Sequence, residues 1–487
     1  MAVHVEAEPE AGSKAAQLQQ AVALLGAETD EKRFVGLLLV TKVAVAPAEL
    51  RMVFESGYAF VRRLLSSPPP PEDLQAGATG NAYRTLALSV LASFCTDPEL
   101  SARVELLECL SAAAAALSDT ACVASPAEAR DAQTVLCTVL QQPGGLAEAA
   151  GARICSRHLA PAAARSAALG PPLAGEQEEE EGPGCACTVL ALVGSLALAF
   201  ASDSAAASDG GRAVGRALSA ELLHAAASLS AAAPACRDRL AFRRLAALAA
   251  VLAGAAATAN CHPAQSASEA FFSSAQPARG GGGGGGGGGG SGGSDAGPGA
   301  PPPELGASLR AALGTLLASK LSAAARADAL HAVLCALQLL GPGWLVGPSP
   351  LATAQGSAQG GDAAGEGALL SLVVQLAGVE LAMCLYDQPA ELVGEHAARL
   401  LPVCCGLLEE ALFRLHDTGG LDEDEEDEEG EEGAAGLSGE AWLDALSDAQ
   451  LLTAQRAFVA AVGNCLDFLE AVRAEASRWL GLGLRLG

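Results

Sequence analysis

From Phe34 onward, apolar residues recur along this chain at helical spacing. Phe34, Leu37, Leu38, Thr41 and Val45 stand at i, i+3, i+4, i+7 and i+11, which puts them on one face of a helix. Pro47 stops that helix or starts the next, and the pattern runs on through Leu50, Val53 and Phe54 until Gly57. After the proline run Pro68–Pro71, a helix from about Asn81 carries Tyr83, Leu86, Val90, Leu91 and Phe94. Thr96-Asp97-Pro98-Glu99 reads as a helix start, with Asp97 as N-cap and Pro98 at the first helical position. Ser125-Pro126-Ala127-Glu128 reads as a capping box built around a proline. Later helical segments are expected at about Leu305–Ser319, Ala327–Leu340, Ala368–Tyr386, Ala390–Leu415 and Ser447–Ala474.

Short helices in series, with turn chemistry between them and no strand signal, predict an all-α fold. The architecture expected is an α-solenoid of HEAT/armadillo-like helical repeats with disordered Gly-rich and acidic inserts. The division expected is a solenoid over 1–278 with a loop insert at 170–184, then a Gly/Pro linker at 279–303. Helical repeats resume over 304–418 with a loop insert at 347–367. An acidic loop at 419–437 precedes the final helices at 438–487. The linker contains eleven consecutive glycines, which cannot fold, and the acidic loop repels itself.

Composition supports helices. Hydrophobic residues make up 51% of the 487 but aromatics only 3%, so Ala, Leu and Val must build the core. The balance of 29 bases against 56 acids disfavours sequence-independent nucleic-acid binding, which needs clustered Lys and Arg, and adhesion to anionic membrane. Much of the acid excess sits in two blocks, Glu176–Glu181 and Asp422–Glu432. The second block reads as a solvated loop, with a basic partner segment or divalent cations as the functional alternative. Cys185–Ala201 and Leu245–Ala257 are nearly all apolar, but shorter than the roughly 20 residues a membrane span needs. Met1-Ala-Val-His-Val-Glu6 shows no signal-peptide core, so the chain is expected to be cytoplasmic, with its fourteen cysteines reduced and mostly buried.

No catalytic constellation emerges. Cys185 with Cys187, and Cys404 with Cys405, lack both the two-residue gap of zinc knuckles and a matching second pair. Cys261-His262 has no third group beside it in sequence. The histidines (His4, His158, His224, His262, His331, His396, His416) include no i, i+4 pair. The glycine run is not followed by the Lys-Ser or Lys-Thr of a phosphate loop. No residue is nominated as catalytic, cofactor-binding or metal-ligating, and no cofactor is expected. The arginine groups Arg62-Arg63, Arg237 with Arg239, and Arg243-Arg244 read as solvated helix edges, with capture of acidic motifs as the alternative.

The segment Phe34-Val-Gly-Leu-Leu-Leu-Val-Thr-Lys42 resembles the neurochondrin family, whose members carry a nearly identical stretch near the N-terminus. The likeness recurs in order at Phe54–Leu65, at Leu91-Ala-Ser-Phe-Cys-Thr-Asp-Pro-Glu-Leu100, at Leu316-Leu-Ala-Ser-Lys-Leu321 and at Leu369–Leu381, with Trp344 between the last two. The resemblance implies an armadillo-like cytosolic scaffold, a family associated in animals with neurite outgrowth and with binding kinase and receptor tails. Animal members carry an N-terminal cysteine pair suited to lipidation where this chain reads Met-Ala-Val-His. They also continue beyond the region matching Ala457–Val472. The reading therefore expects a shortened product whose last helix bears an apolar face that a further repeat would cover. The function expected is non-enzymatic protein–protein scaffolding, with no nucleic-acid partner and no stable membrane insertion. Its rivals are an adaptor of another HEAT/armadillo family and a thiol- or metal-dependent enzyme.

Overall fold

Ala- and Leu-rich segments lose little rotamer freedom in a helix, and every regular element among the described residues is helical. The computed structural model describes residues 11–43, 46–66, 82–119, 126–165, 182–203, 206, 208–232, 239–260, 305–341, 343–346, 368–386, 395–417 and 448–483. The inserts expected at 279–303, 347–367 and 419–437 lie outside these, as does 170–184 apart from residues 182–184, which open a helix. The chain divides into two compact units, Met1–Leu196 and Ala197–Gly487.

In the first unit, α1 (Ala11–Leu25), α2 (Asp30–Val40), α3 (Pro47–Ser66) and α4 (Ala82–Phe94) pack in sequence. Two single turns, α5 (Pro98–Ser101) and α6 (Val104–Leu107), lead to α7 (Leu110–Ser118), which packs on α8 (Pro126–Leu140). Then come α9 (Gly145–Gly151), one π-helical turn at Cys155–Leu159 and α10 (Ala160–Arg165). Helix α11 (Gly182–Ala201) crosses the division between the units. Leu88, Leu91 and Phe94 of α4 are fully buried, with the Phe94 ring edge-on to Phe54 of α3 at 5.3 Å.

Two expectations about glycine and face need correction. The buried face of α2 is Gly36, Leu37 and Val40, whereas Leu38 and Thr41 are exposed and Val45 lies outside the described residues. The face turns toward Gly36 because α1 comes close there. A Cβ on Gly36 would lie 3.0 Å from both the Ala21 carbonyl oxygen and the Leu25 nitrogen. Gly57, expected to end a helix, sits in the middle of α3 and is buried against the Leu25 side chain, 3.1 Å from where its Cβ would be. Both glycines trade helix propensity for close packing on α1. Gly36→Ala is expected to lower stability by up to about 2 kcal/mol, since overpacking costs about 1–3 kcal/mol and the methyl returns only ~0.5–1 kcal/mol. The shift of the urea midpoint checks this, and an unchanged midpoint would mean that α1 can move aside freely.

In the second unit, α12 (Asp209–Ala232) packs on α13 (Arg239–Asn260), α14 (Leu305–Leu317) on α15 (Ala323–Leu340), and α17 (Ala368–Tyr386) on α18 (Glu395–Asp417). Across these pairs, α12 touches α14 and α14 touches α17, while α13 touches α15 and α15 touches α18. A single turn, α16 (Gly343–Val346), touches α14, α15 and α17, and α19 (Asp448–Gly483) packs on α17. Helix α15 begins earlier than Ala327 because Ser322 caps it, accepting the Ala325 N–H at 3.3 Å. By length and hydropathy α15 is also the helix that could cross a membrane among the described residues, yet 61% of it is buried against its neighbours.

Polar ties lock these contacts. Trp344 of α16 is buried, and its indole N–H donates to the Gly306 carbonyl of α14 at 2.8 Å, while Arg310 donates to the Trp344 carbonyl at 2.9 Å. Gly306 leaves room for the ring, since a Cβ there would meet Trp344 at 3.3 Å. Arg326 of α15 pairs with the buried Glu380 of α17, and Arg399 of α18 with Asp328 of α15.

Candidate interaction surfaces

Of the thiols weighed as chemistry, those of Cys404 and Cys405 are held in the unreactive form. Cys185, Cys187 and Cys404 are buried, and only Cys405 of the two pairs is exposed. Burial pushes the Cys404 thiol up to about 12, and does the same to Cys95 and Cys335. A nucleophile or metal ligand needs the opposite, a stabilised thiolate. Cys405 is raised as well, by burial first and then by Cys465 and Glu409 nearby. Among the described residues no three His, Cys, Asp or Glu side chains stand close enough to hold a metal. Cys261, His262 and His4 lie outside the described residues, as do the side chains of His396 and His416. His224 is exposed.

His158 comes within 3.3 Å of Ser118, but that hydroxyl donates to the Ala115 carbonyl at 2.9 Å, as a helix-terminal serine does. Burial holds the imidazoles of His158 and His331 below the ordinary histidine value, helped by Arg157 and Arg399 respectively. Such groups stay neutral in the folded chain while the unfolded chain takes up protons. Stability is therefore undiminished above about pH 6.5 and falls as pH drops below it. His331→Leu is expected to shrink that loss in the second unit, read by urea unfolding at a series of pH values; an unaltered acid limb would refute it.

Of the arginine groups, Arg62 and Arg63 are exposed but engaged, Arg62 with Glu108 and Arg63 with Asp30 at 2.5 Å and over the Phe60 ring. Arg244 is not a solvated edge: it is 1% exposed, among the largest fully buried side chains. The helix carrying it, α13, packs against both α12 and α15. Arg237 and the side chains of Arg239 and Arg243 lie outside the described residues, as do both acidic blocks.

Two surfaces stand out. One is the polar face of α3, where Arg51, Glu55, Tyr58 and Arg62 stand at i, i+4, i+7 and i+11. They meet, in the same order, Asp97 and Glu99, Arg103, the Glu105 carbonyl, and Glu108. Asp97 does two jobs: it caps α5 through the Glu99 N–H at 2.9 Å and pairs with Arg51 at 2.9 Å. The Arg51 guanidinium, with backbone N–H groups of Glu99 and Leu100, holds the Asp97 carboxyl below the usual carboxylate range. The stability it supplies is present above about pH 4 and is lost as pH falls through its lower folded value. Asp97→Asn keeps a capping acceptor while removing the charge, so the acid limb of the first unit should flatten with little loss of helix; a limb as steep as before would be the contrary result.

The other surface is on α19. Ala454, Phe458 and Ala461 are buried, with Ala461 and the Ala457 carbonyl near Gly378 of α17. A neighbouring stripe carries Leu452, Val459 at 68% exposed, Val462, Leu466 at 57% and Leu469 at 59%. Single exposed apolar residues are ordinary, whereas these five and Val472 beside them on one helix are not. The sequence reading named the apolar end helix but neither this stripe nor the polar face of α3. The 7, 3, 4, 3 spacing of the stripe was the available signal.

The neurochondrin family model matches residues 12–152 and 300–478, which is more than half of the chain. Neurochondrin of Gallus gallus is 34% identical over 141 residues, covering 28% of this chain and 19% of the chicken protein. Neurochondrin of Homo sapiens is 37% identical over 91 residues, 18% of this chain and 12% of the human protein. The neurochondrin homolog of Drosophila melanogaster is 30% identical over 92 residues, 18% of this chain and 12% of the fly protein. The matched stretch thus spans less than a fifth of the length of these relatives. No solved structure matches.

Proposed function

Because the chain belongs to the neurochondrin family, we propose that it is a non-enzymatic scaffold whose stacked helix pairs, arranged as a HEAT/armadillo-like solenoid, bind protein partners in the cytoplasm. The observation that carries this reading is the packing order of the second unit. Helices α12, α14 and α17 touch in one row and α13, α15 and α18 in another, each pair leaning on the next. A solenoid is built this way, every repeat contacting its neighbours and leaving a long side surface for an extended segment or a partner helix. Helix pairs with Ala-rich cores also suit close stacking, because small side chains let backbones approach.

The test is quantitative binding. Purified full chain is used to retain proteins from lysate of its own cells, and each retained protein is then produced alone and titrated by calorimetry. Saturable one-to-one binding that survives moderate salt supports the scaffold reading. A folded, helical chain that binds none of them in saturable fashion overturns it.

A further inference from the structure

The exposed stripe of α19 is self-complementary. Its seam runs Leu452, Gln455, Val459, Val462, Leu466, Leu469 and Arg473, alternating steps of three and four as in a coiled coil. We propose that α19 pairs antiparallel with α19 of a second copy of this chain, about a two-fold axis near Asn464.

Three features of the sequence agree on that one axis. Reflected about it, the seam places Val459 opposite Leu469 and Val462 opposite Leu466 of the other copy, so that every exposed apolar position in the centre meets another. The polar seam residues Gln455 and Arg473 fall opposite each other, so neither is set against an apolar neighbour. On the flank of the seam, in the positions that choose partner and orientation in coiled coils, Arg456 comes beside Glu470 of the other copy, and the two-fold repeats the pair. Arg456 and Glu470 are both exposed on α19. Gly463, between them, has open space where a Cβ would stand, so the flank at the axis is free for a close neighbour. A parallel pairing has none of this: Arg456 would then face Leu451 or another apolar flank residue. The buried side of α19 stays on α17 throughout, so the packing of these two helices need not be broken.

Sedimentation equilibrium of the full chain over a concentration series tests this. The expected result is a monomer–dimer equilibrium. Leu466→Lys abolishes the dimer while leaving the far-UV circular dichroism unchanged, since Leu466 is exposed in the single chain. Arg456→Glu and Glu470→Arg each weaken the dimer by about tenfold through like charges brought together. The double variant Arg456→Glu/Glu470→Arg restores it, which only the antiparallel register does. A chain that is monomeric at every concentration overturns the proposal, as does a dimer indifferent to Leu466→Lys. A double variant as weak as the singles overturns the antiparallel axis. A monomer that instead binds an unrelated amphipathic helix through this stripe gives the surface to another partner and also overturns it.

Discussion

Arg84→Ala is expected to lower the stability of the first unit by about 3–5 kcal/mol, the cost of breaking a buried ion pair from one side. Arg84 is 14% exposed, and its guanidinium donates to Glu128 at 2.6 Å and to Asp119 at 2.8 Å. The Glu128 side chain is fully buried at the start of α8, where it also accepts the Thr85 hydroxyl at 2.9 Å. Removing the guanidinium leaves a carboxylate out of water without that counter-charge, and α4 loses one of its ties to α8. Against a typical total of about 5–15 kcal/mol, that is a large share. The contrast is Arg63→Ala: Arg63 and Asp30 are both more than half exposed, and such a pair is worth ~0–1 kcal/mol. Urea unfolding with hydrogen exchange on α4 and α8 reads both variants. Should Arg84→Ala shift the midpoint no more than Arg63→Ala, the buried-pair account fails. The double variant Arg84→Met/Glu128→Leu should recover much of the loss, since apolar groups of similar size do not need each other's charge.

Trp344→Ala is expected to cost about 3–5 kcal/mol in the second unit, the range for emptying a buried aromatic site. The ring fills the space left by Gly306, and its N–H satisfies the Gly306 carbonyl in the interior of the packing between α14 and α16. Trp344→Phe separates the two contributions. It keeps most of the apolar volume but gives up the indole bond to a carbonyl that the helix itself still serves, an expected loss of about 0.5–1.5 kcal/mol. Loss of blue-shifted tryptophan emission in Trp344→Phe checks that this ring sits in an apolar site. Equal stabilities for Trp344→Phe and Trp344→Ala would show that the hydrogen bond, not the volume, dominates.

Local chemistry was legible wherever neighbours in sequence decide the outcome. Asp97 and Pro98 announce the start of α5 because an N-cap and a fixed proline φ act within one turn. The range Ala368–Tyr386 was read to the residue because apolar residues fill it and glycine-rich sequence precedes it. Long-range packing was not legible. Gly36 and Gly57 carry the same letter as a helix breaker, and only the approach of α1 makes them contact points. Arg244 looks like any arginine beside another until α12 and α15 cover its helix. Pro402 lies inside α18, where its missing N–H would predict a stop, and the helix continues to Asp417. The surfaces fared likewise. An unpartnered stripe on α19 is visible as periodicity, but most of the same letters on α17 are buried, so sequence alone does not say which helix is left uncovered.

The partners of the polar face of α3 lie 46 to 48 residues further along the chain, and α4 must dock before they can arrive. Each of these bonds closes a loop of that length, whose chain entropy has to be spent before the bond forms. Substitutions at Arg51, Glu55 or Arg103 are expected to quicken unfolding more than they slow folding, as read from the two arms of a chevron. The face acts as a latch on an already assembled core, setting how long the first unit stays folded once it has formed.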